Sequence, residues 1–400
     1  MTGKTAAVIG VGFGDEGKGL ATDHLCAGCD NVTVIRHNGG AQAGHTVESD
    51  GKRFVFHQLS SGSFRHADTY WSHTFMPDLY KLGTELSDFA AVSGYAPDIY
   101  CDHGTCPTFI DDVLINMALE KSRGEKRHGS CGMGINEATL RIRAGFGLTI
   151  HEIKASDSSH IYRELLRIRR EYVAERLDSL GLKPKELGEY GELLESEIAL
   201  FNFAEQMAEG AGAVKIADDR KAYFSGRGRV IFEGAQGLLL DSENKEFAPH
   251  VTASRTGLVN PASLCNEYGL ELELAVYVMR SYVTRHGAGP LPYECEKDAL
   301  GSVSEDLTNR ENEWQGKLRY GRYESPAALA TRIIRDLEGC GSDAALFITH
   351  LNETEGSIRF RSGDVAAVNF VSHPAFNGRV KKAYLSYSHE SAIVNEAWLN

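Results

Sequence analysis

Apolar residues recur along this chain in two rhythms. Short runs at residues 6–9, 32–35, 229–232, 275–279 and 344–348 are apolar at nearly every position, and polar or glycine-rich residues follow each one directly. Such runs are too short for helices and predict strands buried on both faces of a parallel sheet. Between the first two lie a glycine-rich turn, 10–19, and a helical start, 20–25, which together make a βαβ opening. The second rhythm occupies 160–197, where Leu165, Leu166, Ile168, Val173, Leu177 and Leu180 return at helical spacing among Arg and Glu. It predicts a mainly helical excursion over 150–228 with solvated charged faces. The expected fold class is α/β: a large, mainly parallel central sheet carrying P-loop-like glycine loops, with chemistry in the loops at the strands' carboxyl ends. No Pro/Ser-rich linker, low-complexity segment or repeat interrupts it, so 1–400 reads as one catalytic domain.

Composition narrows the partners. The 400 residues are 42% hydrophobic and 24% charged, which allows a large interior, and the formal net charge of -13 opposes nucleic-acid binding through a basic face. A polyanion must therefore be met by a local pocket. No stretch approaches about 18 uncharged apolar residues, and the first residues lead directly into a strand-like run. These features predict a cytoplasmic protein with no membrane span and no signal peptide. Cys26 and Cys29 form CxxC and Cys101 lies near Cys106, but no second CxxC follows and Cys131, Cys265, Cys295 and Cys340 stand singly. Reduced thiols are a better account than structural zinc.

The first loop, Gly12-Phe13-Gly14-Asp15-Glu16-Gly17-Lys18-Gly19, contains GxGxxG and nearly satisfies GxxxxGK[ST], with Gly19 in the hydroxyl position. A dinucleotide site needs an acidic residue near the end of the second strand, yet that strand runs into Arg36, His37, Asn38, Gly39 and Gly40. A phosphate site needs backbone amides and a cation, which Gly17, Lys18 and Gly19 supply at a helix start. Asp15 would repel that phosphate unless it has a task of its own: holding Mg²⁺, accepting a proton, or simply capping the helix.

A second loop, Asn38-Gly39-Gly40-Ala41-Gln42-Ala43-Gly44-His45-Thr46, follows the next strand. With the first loop, it resembles the signature loops of the adenylosuccinate synthetase family. Similarity continues at Phe232-Glu233-Gly234-Ala235-Gln236-Gly237, at Leu240 and Asp241, at Val251-Thr252-Ala253-Ser254 and at Thr284 to Pro290. It spans 9 to about 325 and is weak over 150–228 and the last fifty residues. The resemblance implies a homodimeric ligase that uses a nucleoside triphosphate to join L-aspartate to C6 of a 6-oxopurine nucleotide. It makes Asp15 the base for the N1 proton and a Mg²⁺ ligand, His45 the acid at the 6-oxygen and phosphoryl group, Gly44 a carbonyl ligand of Mg²⁺, and Gln236 a contact on the 6-oxygen side. Nucleotide contacts are implied for Gly12, Gly14, Glu16, Gly17, Lys18, Gly19, Asn38, Gly40 and Thr46. The loop Gly129-Ser130-Cys131-Gly132-Met133-Gly134 would hold the 5′-phosphate with help from Thr252, Cys131 standing where the family has a hydroxyl residue. Arg141 or Arg143, with Arg143 favoured, would reach that phosphate across the dimer.

Two segments depart from the family pattern. Where it has an arginine-rich aspartate-binding loop, this chain has Trp314-Gln315-Gly316-Lys317-Leu318-Arg319-Tyr320-Gly321; Gln315, Lys317 and Arg319 still offer donors to carboxylates or a triphosphate. This form is similar to the phage branch that makes 2-amino-adenylosuccinate from a guanine deoxynucleotide, but that branch has a hydroxyl residue where Asp15 is retained. Thr349-His350-Leu351-Asn352 replaces the family's TKLD; Asn352 lacks the charge that reads guanine, and an amide suits adenine's edge. This tilts the expectation toward ATP over GTP, while a turn cap at Asn352 stays open. IMP or a close relative is the leading acceptor, with GMP or dGMP as the alternative. An NAD-binding oxidoreductase and an inactive nucleotide-binding paralog are the readings from other classes.

Overall fold

The computed structural model describes residues 4–124, 129–130, 132–306, 316–390 and 394–398; Cys131, Trp314 and Gln315 lie outside them. Sixteen strands are numbered here in chain order: β1 (Thr5–Gly10), β2 (Val32–Arg36), β3 (His45–Ser49), β4 (Lys52–Phe56), β5 (Asp68–Trp71), β6 (Ile99–Cys101), β7 (Val214–Ile216), β8 (Arg229–Gly237), β9 (Leu274–Arg280), β10 (Val283–Arg285), β11 (Arg319–Gly321), β12 (Asp343–Thr349), β13 (Ser357–Ile358), β14 (Val365–Ala366), β15 (Val380–Ser386) and β16 (Val394–Trp398). Ten of them form one sheet in the order β16-β15-β12-β9-β1-β8-β2-β5-β6-β7. Every pairing in it is parallel except β15 with β16. All five runs expected as strands lie in this sheet.

Side chains of β1 alternate between its faces, as a pleated strand requires. Ala7 and Ile9 join Phe232, Tyr277, Leu346 and Ile348 on one side. Ala6 and Val8 join Leu20, Leu25, Val34 and Val276 on the other. With both faces covered, the apolar runs carry no polar alternation, which is why they could be read as strands but not assigned to a face.

The 150–228 excursion is helical for most of its length, with helices at Ser158–Ile168, Ala174–Ser179, Glu189–Glu195 and Glu197–Gly212. It also returns to the sheet, because β7 pairs with β6 and forms its far edge. Seven cysteines are free, and no cluster of metal-ligating side chains occurs among the described residues. No helix among them is long and apolar enough to cross a membrane.

A buried polar cluster anchors the sheet beyond β2. Buried Asp102, just past β6, accepts hydrogen bonds from Tyr70 and Tyr268 at 2.6 Å each, and its Oδ2 lies 3.1 Å from His73 Nδ1. The hydrogen bond to Asp102 raises the His73 pKa, against the effect of burial, with Glu267 adding to the rise and Arg220 opposing it. A histidine whose pKa rises on folding stabilises the fold fully below its unfolded pKa, and that stabilisation disappears as pH climbs through the folded value. Urea titrations should therefore show the wild-type advantage over His73→Gln at its fullest on the acid side of the ordinary histidine pKa and declining as pH rises above it. A pH-independent difference would contradict this linkage.

Candidate functional site

Because the central strands run parallel, the loops after β1, β2, β8, β9 and β12 gather at one edge of the sheet. The first loop turns through left-handed residues: Gly14 at φ 102°, Asp15 at 58° and Gly17 at 95°. Helix Lys18–Cys26 then begins at Gly17 with no side-chain cap, so its first-turn amides point at the site as a ready anion-binding end. The Glu16 carboxylate folds beneath the loop and accepts from the amides of Gly12 and Gly14 at 2.9 Å each and from Lys18 Nζ at 2.8 Å. Gly237 makes room for it, since a Cβ there would stand 2.7 Å from Glu16 Oε1. These amides and the ammonium, expected to face phosphate, thus converge on an internal carboxylate; a triphosphate reaching them must take its place.

Asp15 is held differently. Its carboxylate makes no hydrogen bond or ion pair among the described residues, while its backbone carbonyl accepts from Arg280 Nε. Burial raises its pKa, with the positive charges of Arg280, His286 and Lys18 acting against the rise. Lys18 acts on His45 as well, so its ammonium bears on both residues expected to carry the chemistry.

His45 opens β3 and packs on the start of the helix, where a Cβ on Gly19 would lie 3.1 Å from His45 Cβ. Its Nδ1 is 2.7 Å from Glu233 Oε1. Glu233, fully buried midway along β8, also accepts from the Ser61 hydroxyl and, at 3.1 Å, the Ser61 amide, with Arg36 Nη1 3.6 Å away. Burial would push the Glu233 pKa up, but His45 and Arg36 outweigh it and bring it down to about 2. Burial takes His45 down to about 4 despite Glu233. The free chain therefore holds a neutral imidazole that donates through Nδ1 to a charged carboxylate, leaving Nε2 for a ligand. The sequence reading gave Glu233, Ser61 and Arg36 no role, although a Glu after Val-Ile-Phe on a buried strand already asks for a partner.

Gln236 reaches between the two loops. Its backbone is left-handed at φ 58°, and its Oε1 would lie 3.6 Å from a Cβ on Gly39, with Gln42 Nε2 2.8 Å from the same point. Both carboxamide oxygens are buried and accept no hydrogen bond among the described residues. Gln42 is a further candidate contact that sequence did not single out. Asn38 is committed to the fold, exchanging hydrogen bonds of 2.9 and 2.8 Å with the Ala235 backbone. Gly39 donates its amide to Ser254 Oγ at 3.1 Å, Gly40 bridges to Met76, and Gly44 is exposed while Thr46 is half-buried.

In the third loop, the amides of Gly129 and Ser130 donate to Glu120 Oε2 at 3.1 and 3.3 Å, and Ser130 Oγ donates to Asn116 at 2.8 Å. Helix Ile135–Arg143 follows from Gly134 without a side-chain cap. The two arginines part company here. Arg141 is fully buried, forks onto Asp112 with a 2.8 Å contact, and lies 3.5 Å over the Phe109 ring. Arg143 is exposed and makes no hydrogen bond or ion pair among the described residues. Arg141→Met should destabilise the protein by about 3–5 kcal/mol by leaving Asp112 a buried, unpaired carboxylate, whereas Arg143→Ala should leave the unfolding midpoint in place. Equal midpoints for the two variants would contradict this division.

Of the remaining expected residues, half-buried Thr252 donates its amide to the Leu240 carbonyl at 2.8 Å. Arg319 forks onto Glu294 at 2.9 and 3.0 Å and donates to the Gly289 carbonyl at 2.8 Å, while Lys317 is exposed. Thr349 donates its hydroxyl to the Glu16 carbonyl at 2.8 Å, tying the end of β12 to the first loop. Asn352 is exposed, and its side chain makes no hydrogen bond among the described residues, so it caps no turn.

A doubly covered, mainly parallel sheet whose central loops present an uncapped helix start, a carboxylate without a partner among the described residues and a carboxylate-backed histidine defines a P-loop-like α/β protein. Residues 7–323 match the family model described as adenylosuccinate synthetase, and the chain belongs to that family. It is similar to the adenylosuccinate synthetases of Thermoplasma acidophilum, 31% identical over 299 residues, and Shewanella piezotolerans, 29% identical over 311 residues. Those matches cover 74% and 76% of this chain but only 65% and 69% of the relatives, so the chain spans about two thirds of their length. The fold matches the fully ligated adenylosuccinate synthetase of Plasmodium falciparum with a TM-score of 0.68 at 19% identity, covering 99% of this chain and 88% of that one. It also matches the succinoaminodeoxyadenylate synthetase of cyanophage S-2L, bound to dGMP and dATP, with a TM-score of 0.61 at 17% identity, covering 99% of this chain and 95% of that one. The comparisons give no support to the dehydrogenase reading of GxGxxG.

Proposed function

We propose that the chain is a single catalytic unit that joins L-aspartate to C6 of a 6-oxopurine nucleotide at the expense of a nucleoside triphosphate. The observation that carries this reading is that the Asp15 carboxylate, which has no hydrogen bond or ion pair among the described residues, and a Glu233-backed His45 both feel the charge of Lys18 at one helix start, with Gln236 close to both loops. A binding module has no need of a base set against a carboxylate-backed imidazole.

An amide-like C6 oxygen is a poor leaving group and must first be phosphorylated. Asp15 accepts the purine N1 proton, the 6-oxygen forms a bond to the terminal phosphorus, and the bond from that phosphorus to the β-bridging oxygen breaks to release the nucleoside diphosphate. His45 meets the phosphoryl oxygens through Nε2; Glu233 behind it and phosphoryl charge in front favour the imidazolium and overcome the burial that keeps it neutral in the free chain. Aspartate's amine then attacks C6, loses a proton and expels phosphate. Gln236 and Gln42 face the acceptor. The Asp15 carboxylate, without a hydrogen bond or ion pair among the described residues, and the carbonyl of exposed Gly44 are hard oxygen donors of the kind that would hold Mg²⁺. When bound there, Mg²⁺ supplies charge neutralisation for the transferring phosphoryl group. The exposed Arg143 fits a homodimer in which it serves the partner's nucleotide phosphate, assisted there by Ser130, Cys131 and Thr252. Gln315, Lys317 and Arg319 are assigned to aspartate or the triphosphate, and Thr349 and Asn352 to the triphosphate's base.

A panel of IMP, dIMP, GMP and dGMP crossed with ATP and GTP, with aspartate and Mg²⁺, tests the proposal through phosphate release. Aspartate-dependent release with at least one pair is expected, and the productive pair names the acceptor and donor. Silence across the panel would overturn the ligase assignment in favour of a nucleotide-binding paralog.

A further inference from the structure

Asp15 adopts φ 58°, a left-handed conformation uncommon for residues other than glycine, Asp and Asn, and the loop around it is held by identifiable contacts. The loop's own groups are engaged elsewhere: the Glu16 carboxylate takes the amides on either side of Phe13, and the Glu16 carbonyl is taken by Thr349. The grip on Asp15 comes from the last residue of β9. Arg280 donates through Nε to the Asp15 carbonyl, through Nη2 to Asp306 Oδ2 at 3.0 Å and through Nη1 to Tyr282 Oη at 3.3 Å. The Tyr282 hydroxyl donates to Glu353 Oε2 at 2.5 Å, and the Tyr323 hydroxyl donates to the Arg280 carbonyl at 3.0 Å. The Arg280 side chain is 7% exposed.

We infer that Arg280 is a positioning residue for the proposed reaction: anchored by Asp306 and Tyr282, its guanidinium clamps the main chain of Asp15 and so aims the carboxyl while leaving it free for substrate. This inference rests on the reading of Asp15 as the base. Three acceptors at three angles match a planar fork, and a lysine ammonium at the end of a flexible stem cannot address them together. Within the first loop the Arg280 side chain bonds to the Asp15 carbonyl, and among the described residues it makes no hydrogen bond to the helix start or to the loop after β2. Its loss should therefore disturb turnover more than binding, since small misplacement of a reacting group costs about 100-fold.

The test is steady-state kinetics on Arg280→Met and Arg280→Lys with the productive nucleotide pair. Arg280→Met should lose about 100-fold in kcat with both nucleotide KM values within about twofold of wild type. Arg280→Lys, which keeps the charge but not the fork, should remain at least about tenfold slow. Unchanged kcat in Arg280→Met, a KM rise that accounts for its whole loss, or full recovery in Arg280→Lys would overturn the inference. If Arg280→Met does not fold, Asp306→Asn and Tyr282→Phe loosen the anchor while leaving the Asp15 carbonyl its donor. Each should lower kcat several-fold at constant KM, and wild-type kcat in both would overturn the proposal. Asp15→Asn run in parallel separates the two ideas. Retained turnover there removes Asp15 as the base, whereas lost turnover there with normal kcat in Arg280→Met removes only the clamp.

Discussion

Asp15→Asn is expected to lower kcat by about 10²–10⁴ while leaving nucleotide binding close to wild type. The side chain makes no hydrogen bond or ion pair among the described residues, and what holds the loop there is the backbone contact from Arg280, which the substitution leaves intact. An amide of the same shape removes the two functions assigned to the carboxylate, accepting a proton and sharing a metal. Burial raises the Asp15 pKa, and the nearby Arg280, His286 and Lys18 charges favour the ionised form a base needs. Isothermal titration of nucleotide beside initial rates makes the comparison. Near-normal turnover would reduce Asp15 to a turn residue, and lost binding would make it a scaffold for the loop.

His45→Asn should cost about 10²–10³ in kcat, and Glu233→Gln nearly as much although its side chain never reaches substrate. Glu233 fixes the His45 tautomer through the 2.7 Å contact at Nδ1, and its charge is the main force opposing the burial that keeps the imidazole neutral. A neutral glutamine keeps the shape and withdraws that support, so Nε2 no longer takes up the proton it must share with the phosphoryl group. Glu233→Gln also leaves buried Arg36 without its counter-charge, so a lower melting temperature should accompany the kinetic loss. A slow His45→Asn beside a fast Glu233→Gln would show that the carboxylate serves only the fold.

Much of this architecture was legible in the sequence because the central strands are buried on both faces and so carry unbroken apolar runs. The edges were not legible. β7 is a three-residue strand closing a helical stretch, and nothing local marks it as the sheet's far edge. The two glycine loops announced themselves through spacing, yet the group that organises His45 lies 188 residues away, and periodicity cannot pair residues at that distance. Arg141 and Arg143 could have been separated. Ile135, Ala138 and Arg141 recur every three residues and all are buried, so Arg141 belongs to the helix's inner face and Arg143 does not. The inward turn of Glu16 onto Gly12, Gly14 and Lys18 had no such signal, because a carboxylate in a phosphate loop reads the same whether it faces ligand or core.

Isotope transfer tests the central claim most directly. With the acceptor nucleotide labelled by ¹⁸O at its 6-oxygen, the account predicts that phosphate released in the presence of aspartate carries that ¹⁸O, because the purine oxygen itself attacks the phosphoryl group and later departs with it. Unlabelled phosphate that instead takes its fourth oxygen from the solvent would contradict the joint action of Asp15 and His45 on a purine carbonyl.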